Sequence, residues 1–341
     1  MNLHALRIFK ERTQYKDDVK MFKEYIEKLY LHINKDTITN YWSEFVDITT
    51  EMIQVFKKLG ISNLSYCYID KLSNVYVTVE DFKSILGYLY SISVEYLNVY
   101  DEAKRYCVIC KKEVIYLPLP NEYKLMQKQH DSSRFRAETF NENEYICPVC
   151  ESLDRDRIII SYLERINILN KLDLCVLHIA PSKSIEEYLL MNYPNLRYMS
   201  GDLYMDNVSF RMDVQDMHMI IDQSYDIWIC SHVLEHIPDD RKALSELYRI
   251  LRPNGIGLLL VPLDLDQKIT DEELGCSEEE NWKRFGQGDH VRKYAKTDFL
   301  ERISEVGFSI ECLGIDYFGR DIFINNGLID TSTLYVLSKE T

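Results

Sequence analysis

From residue 172 onward, short apolar runs alternate with amphipathic helical stretches, and this alternation restricts the fold more than any other feature of the chain. The runs are 172–180 (LDLCVLHIA), 196–201 (LRYMSG), 225–230 (YDIWIC) and 256–263 (IGLLLVPL). Nearly continuous apolarity over strand length means burial on both faces, as in a parallel sheet covered by helices. After the first run, Ser184-x-x-Glu187 predicts a capping box. Before the last, DDRKALSELYRILRPNG sets Ala243, Leu244, Leu247, Tyr248 and Leu251 on one helical face. Asp239 is placed to cap that helix, and Pro253, Asn254 and Gly255 to end it. FSIECLG and STLYVLSK read as two closing strands. The expected fold is α/β, with a doubly wound, mostly parallel, Rossmann-like sheet.

Two further segments precede it. Residues 1–104 read as a helical domain: Val19, Phe22, Ile26, Leu29 and Tyr30 recur at helical spacing. So do Tyr41, Phe45, Ile48, Met52 and Phe56, and then Phe82, Ile85, Leu86, Leu89 and Tyr90. This segment carries no catalytic motif, and formation of a homo-oligomer is one role open to it. Residues 105–154 hold Cys107-Val-Ile-Cys110 and Cys147-Pro-Val-Cys150. Each C-x-x-C turn sets two thiolates on one side of a metal, and two such turns complete a tetrahedral, structural zinc site with no open position. The sheet domain then spans 155–341.

Charge narrows the partners. The net charge is −15, and residues 161–341 hold 18 basic and 31 acidic side chains. That surface disfavours nucleic-acid backbones and anionic membranes. No run of 18 apolar residues and no signal-peptide core appear, so neither a membrane nor a secretory role is expected. The cytoplasm is then the default compartment, and paired cysteines in a cytosolic chain point to metal. The segment 264–280 holds eight acids and one lysine and reads as a mobile solvated loop, with a lid over the active site as the alternative.

His232-x-x-Glu235-His236 matches the spacing of a class of zinc peptidase that mounts these residues on a long helix. Its flanks argue otherwise. His232 follows a buried strand directly and Pro238 follows His236 by two residues, so the string lies at the C-terminal edge of the sheet, where α/β folds collect ligands.

The run 225–262, YDIWICSHVLEHIPDDRKALSELYRILRPNGIGLLLVP, closely resembles class I S-adenosylmethionine-dependent methyltransferases of the small-molecule, type 11-like kind. CPVCESLDRDR and FGQGDHVRKYAKTDF resemble a subset with a cysteine-pair module before the catalytic domain. The resemblance covers roughly residues 105–338. It implies methyl transfer to an oxygen or nitrogen of a small-molecule or glycan-type acceptor. It also implies that the cofactor lies along the strand ends, at His178, Ala180, Pro181, Asp202, Leu203, Asp213, Val214, Ser231 and His232. Asp202 stands at the family's ribose-binding position and Asp213 near its adenine. One departure is the first loop, HIAPSKSIE, where Ala180, Pro181 and Ser182 replace glycines and His178 replaces an acid. The connection after Asp202 is also too short for the usual helix.

For acid–base work the candidates are His290, His232 and Asp289, with His236 beside them, because an imidazole titrates near operating pH. Arg292 offers a bidentate hold on an anion or a salt bridge to an acid. A competing reading is a non-catalytic scaffold that retains the fold, motivated by the glycine-poor loop. A nicotinamide enzyme is excluded, since HIAPSK has no G-x-G-x-x-G.

Overall fold

The structure, a computed structural model, describes residues 15–32, 47, 50, 86–87, 89–90, 93, 104–130, 132 and 135–339. The chain divides into two compact units. One comprises Met1–Arg105 and Glu113–Pro118, the other Tyr106–Lys112 and Leu119–Thr341.

In the first unit, α1 (Tyr15–His32) buries Val19, Phe22 and Ile26, the stripe its spacing predicts. Leu86, Leu89 and Tyr90 are helical as well. The helical readings around Tyr41–Phe56, and those at Phe82 and Ile85, lie outside the described residues, apart from helical Asp47 and Thr50.

The cysteine segment begins with two three-residue strands, β1 (Arg105–Cys107) and β2 (Lys112–Val114), followed by α2 (Asn121–Gln129). Then come α3 (Asp154–Arg165), β3 (Cys175–Ile179), α4 (Lys183–Asn192), β4 (Arg197–Asp202), β5 (Phe210–Arg211) and β6 (Tyr225–Ser231). They are followed by α5 (Asp240–Ile250), β7 (Leu251–Leu260), β8 (Asp271–Glu272), α6 (Glu278–Phe285), β9 (Arg292–Lys293) and α7 (Lys296–Val306). The chain closes with β10 (Ser309–Leu313), α8 (Ile315–Phe318), α9 (Arg320–Asn325) and β11 (Leu334–Ser338).

Seven strands form one sheet in the order β10-β11-β7-β6-β3-β4-β5. β3 is parallel to β4 and β6, β6 to β7, and β4 to β5, whereas β11 is antiparallel to both neighbours. The chain leaves β3 toward β4 on one side and later resumes at β6 on the other. Right-handed crossovers therefore put α4 and α5 on opposite faces, and β3 and β6 flank the point where the winding reverses. Ile227, Trp228, Ile229 and Cys230 are all 0 % exposed, so β6 is covered on both faces as its apolar run predicts. Gly257 lets the Trp228 ring approach the neighbouring strand, since a Cβ there would stand 2.1 Å from the ring.

The helix ends repay comparison with the sequence. Asp239 caps α5 as expected, its Oδ1 accepting from the Lys242 N–H at 2.9 Å. The capping box at Ser184 does not form. Helix α4 starts at Lys183, and the buried Ser184 hydroxyl donates instead to Asp156 Oδ2 at 2.9 Å. No helix separates β4 from β5, as the short connection required.

Candidate functional site

Each cysteine pair sits in a turn of the same construction. The Lys111 N–H donates to Cys107 O and the Glu151 N–H to Cys147 O, both at 2.9 Å. The residue closing each turn is left-handed, with φ 56° at Lys111 and 58° at Glu151. The turns face each other: Cys107 Sγ is 3.8 Å from Cys150 Sγ, and Cys110 Sγ is 3.8 Å from Cys147 Sγ. A tetrahedral ion with metal–sulfur bonds of about 2.3 Å sets its ligands about 3.8 Å apart, so the cluster has the dimensions of a four-thiolate zinc site. The fully buried Arg157 of α3 ties the second turn to the sheet domain. It donates to the carbonyls of Ser152 (2.7 Å), Glu144 (2.8 Å), Tyr145 (3.2 Å) and Asn326 (2.6 Å).

Over the reversal point lies a cavity of about 350 Å³, lined by Ala180, Asp202, Leu203, Asp213, Val214, His232 and Asp289, all anticipated from the sequence. Tyr204, Gln215, His236 and Ile237 also belong to its wall. His178, Pro181 and Ser231 are not among its lining residues. His178 is turned into the sheet, with Nδ1 3.0 Å from the Tyr198 hydroxyl, and burial lowers its pKa to about 3. Asp202 Oδ1 accepts from the N–H groups of Tyr204 (2.6 Å) and Met205 (2.7 Å). Asp213 is engaged by Gln215, which donates its backbone N–H at 2.8 Å and its amide at 3.1 Å.

Two residues in this wall hold left-handed backbone without being glycine: Ala180 (φ 47°), following β3, and His232 (φ 56°), following β6. They stand at the ends of the two strands that flank the reversal point. Strain of this kind persists where surrounding structure holds it, and it gathers at functional sites. In the glycine-poor first loop, Ala180 takes the conformation glycine would serve, and it adds only a methyl group to the wall.

A second cavity, of about 370 Å³, adjoins the first and shares His232 and His236 with it. Its wall takes Tyr123 from α2, Phe135, Phe140 and Tyr145 from the stretch between the cysteine pairs, and Arg155 from α3. Glu235, Phe285 and His290 complete the opposite side. Arg155 Nη1 donates to the Tyr145 hydroxyl at 2.9 Å. Burial lowers the pKa of His290 to about 4; burial, with Arg155 second, also lowers that of His232. Both imidazoles are therefore neutral near pH 7 and able to accept a proton.

The H-x-x-E-H string forms no long helix; Leu234–His236 is one 3₁₀ turn. The turn is held by β9. The Val291 N–H donates to Glu235 O at 2.9 Å, and the Arg292 guanidinium, 2 % exposed, donates to the carbonyls of Leu234, Ile237 and Pro238. Arg292 also meets Glu272 at 3.1 Å, so it builds the loop rather than facing either cavity. Nor is 264–280 a free acidic loop: Glu272 pairs with Arg292 and Arg302, and Asp271 and Glu273 with Arg284. Sequence reasoning missed Tyr123, Tyr145 and Arg155, and set Glu235 aside with the peptidase reading. The one signal for Glu235 was the string itself.

Residues 188–259 match the family model described as "Methyltransferase domain". Comparison with curated proteins gives no match. Among solved structures, the chain is similar to an S-adenosylmethionine-dependent methyltransferase from Archaeoglobus fulgidus, at 13 % identity over 53 % of this chain and 92 % of that one, TM-score 0.35. It is also similar to one from Mesorhizobium loti, at 11 % identity over 52 % and 96 %, TM-score 0.35. A third is the 1,6-didemethyltoxoflavin-N1-methyltransferase of Burkholderia thailandensis with bound S-adenosylhomocysteine, at 12 % identity over 55 % and 77 %, TM-score 0.36. The seven-stranded, mostly parallel sheet matches the Rossmann-like methyltransferase fold, and the match to the family model covers residues 188–259 of it. Among the described residues, no helix is long and apolar enough to cross a membrane.

Proposed function

We propose that the chain is an S-adenosylmethionine-dependent methyltransferase acting on an oxygen or nitrogen of a small-molecule or glycan-type acceptor in the cytoplasm. The observation that carries this reading is the pair of adjoining cavities that share His232 and His236. The first would hold the cofactor, with Asp202 toward the ribose and Asp213 and Val214 beside the adenine. Its fit rests on residues present: Asp202 Oδ2 has no donor among the described residues, and the left-handed Ala180 leaves only a methyl group against the cofactor. When bound, the cofactor supplies a methyl group on a positively charged sulfur.

The second cavity would take the acceptor. Aromatic rings give it faces for a planar or sugar group, and Arg155 gives it one positive charge. His232, neutral and at the junction, is placed to take the proton of an acceptor hydroxyl or amine, with His290 and Asp289 as the other candidates. The four cysteines would hold a structural zinc. Residues 1–104 would form a separate helical domain, open to a role in self-association. These assignments support an enzyme over a scaffold because polar groups converge where a scaffold has no need of them.

Calorimetric titration of the full chain with S-adenosylhomocysteine tests the reading. Micromolar binding is expected, weakened tenfold or more by Asp202→Ala. Absence of binding by the folded protein overturns the enzyme and leaves the scaffold.

A further inference from the structure

The wall of the second cavity holds a group that methyl transfer leaves unexplained. Glu235 is 0 % exposed, and neither carboxylate oxygen has a hydrogen-bond donor among the described residues. His232 Nδ1 stands 3.4 Å from Oε1, an ion pair only when that imidazole is protonated. His290, 7 % exposed, likewise leaves its Nδ1 without a partner. A buried carboxylate with no donor is costly, and it takes up either a proton or a cation.

One atom from each of Glu235, His236 and His290 lies within 4.8 Å of the others. The His236 ring packs edge-on against His290, with centroids 4.6 Å apart, and His236 Nδ1 lies 3.2 Å from Asp289 Oδ2. A carboxylate behind a ligating histidine is the usual outer partner of a metal site. Two imidazoles and a carboxylate suit a first-row divalent cation and leave a position open, unlike the closed four-cysteine site. About 2.1 Å from a tetrahedral ion, such ligand atoms stand roughly 3.4 Å apart, so from separations of up to 4.8 Å ligation asks the three side chains to close by up to about 1.4 Å.

We propose that Glu235, His236 and His290 bind a second metal ion, a zinc-like divalent cation, in the wall of the acceptor cavity. This ligand set differs from the peptidase set that the H-x-x-E-H spacing suggests, because His290, just before β9, replaces His232 and Glu235 serves as a ligand rather than as a base. The cation would draw an acceptor hydroxyl toward the junction and ease loss of its proton, which passes to a neighbouring base such as His232. That role rests on the proposed methyl transfer; the metal site itself does not.

The test is metal content of the full chain by inductively coupled plasma mass spectrometry, after equilibration with zinc chloride and removal of free ion. Titration of the wild type with cobalt chloride, followed by absorption, accompanies it. Two equivalents are expected. One should show intense thiolate charge transfer, the other only weak visible bands, and Glu235→Gln and His290→Ala should each reduce the total from two to one. A wild type that stops at one thiolate-bound equivalent overturns the proposal, as does a second equivalent that survives both substitutions. The cobalt spectrum decides the matter even if a variant fails to fold. S-adenosylhomocysteine binding in the same preparations separates the two readings. Binding with one metal overturns only the second site, and two metals without binding overturn only the methyltransferase.

Discussion

The four-cysteine cluster and the Glu235–His236–His290 cluster are assembled in opposite ways. The first is made from two copies of one local device, a C-x-x-C turn closed by an N–H four residues on and a left-handed residue after it. Once each turn forms, only one long-range event remains, the docking of turn on turn. The second has no local device. Glu235 and His236 ride on a 3₁₀ turn, and His290 reaches them because Val291 and Arg292 bond to that turn's carbonyls. The difference shows why one cluster can be read by spacing alone, while the other exists only where β9 is packed in place.

The largest effect expected is on the cysteine side. If the four cysteines hold zinc as proposed, Cys147→Ser should remove a ligand from a site whose binding free energy is folding free energy, on the order of 10 kcal/mol. Thermal unfolding should lose its cooperative transition and bound zinc should fall. A melt within a few degrees of wild type would break the claim that this cluster staples the fold.

Arg292→Met sharpens the other side. It removes the donor to three carbonyls and should cost about 3–5 kcal/mol by denaturant titration, as expected for breaking a buried charged network. It should also loosen Glu235 while leaving the thiolate-bound metal in place. Equal loss of both metals would show that the clusters are not assembled independently.

The smallest effect comes from a buried imidazole belonging to neither cluster. Burial holds His178 near pKa 3 in the folded chain, against about 6.5 when unfolded. The unfolded state therefore binds more protons between those values, and stability is lost as pH falls through that window. The loss from this residue should reach roughly 3 kcal/mol by pH 4. His178→Gln should flatten stability against pH between 4 and 6.5, and an unchanged slope would remove His178 as its source.

The sheet was largely legible in the chain. Buried parallel strands need mostly apolar runs, and β3, β6 and the 256–260 part of β7 supply them, while Arg252, Pro253 and Asn254, expected to lie at the end of the helix before it, open β7 instead. The helix start at Asp239, the missing helix after Asp202 and the two cysteine pairs were legible for the same reason: each depends on residues a few positions apart. Asp202 and Asp213 were singled out by the resemblance and His232 by its place after β6, and all three line the first cavity. Local pattern failed where a distant partner competed. Ser184 donates to Asp156 rather than capping its own helix, and the acids of 264–280 pair with Arg284, Arg292 and Arg302.

Periodicity and short spacing thus determined the α/β class, the parallel core and the cysteine pairs, because those features are set by neighbours along the chain. Tertiary structure alone decided that His178 faces the sheet interior, that the stretch between the cysteine pairs walls a second cavity, and that His290 meets Glu235. The physical reason is the same in each case. These placements depend on backbone hydrogen bonds and burial between segments tens of residues apart, and a linear spacing carries no record of them.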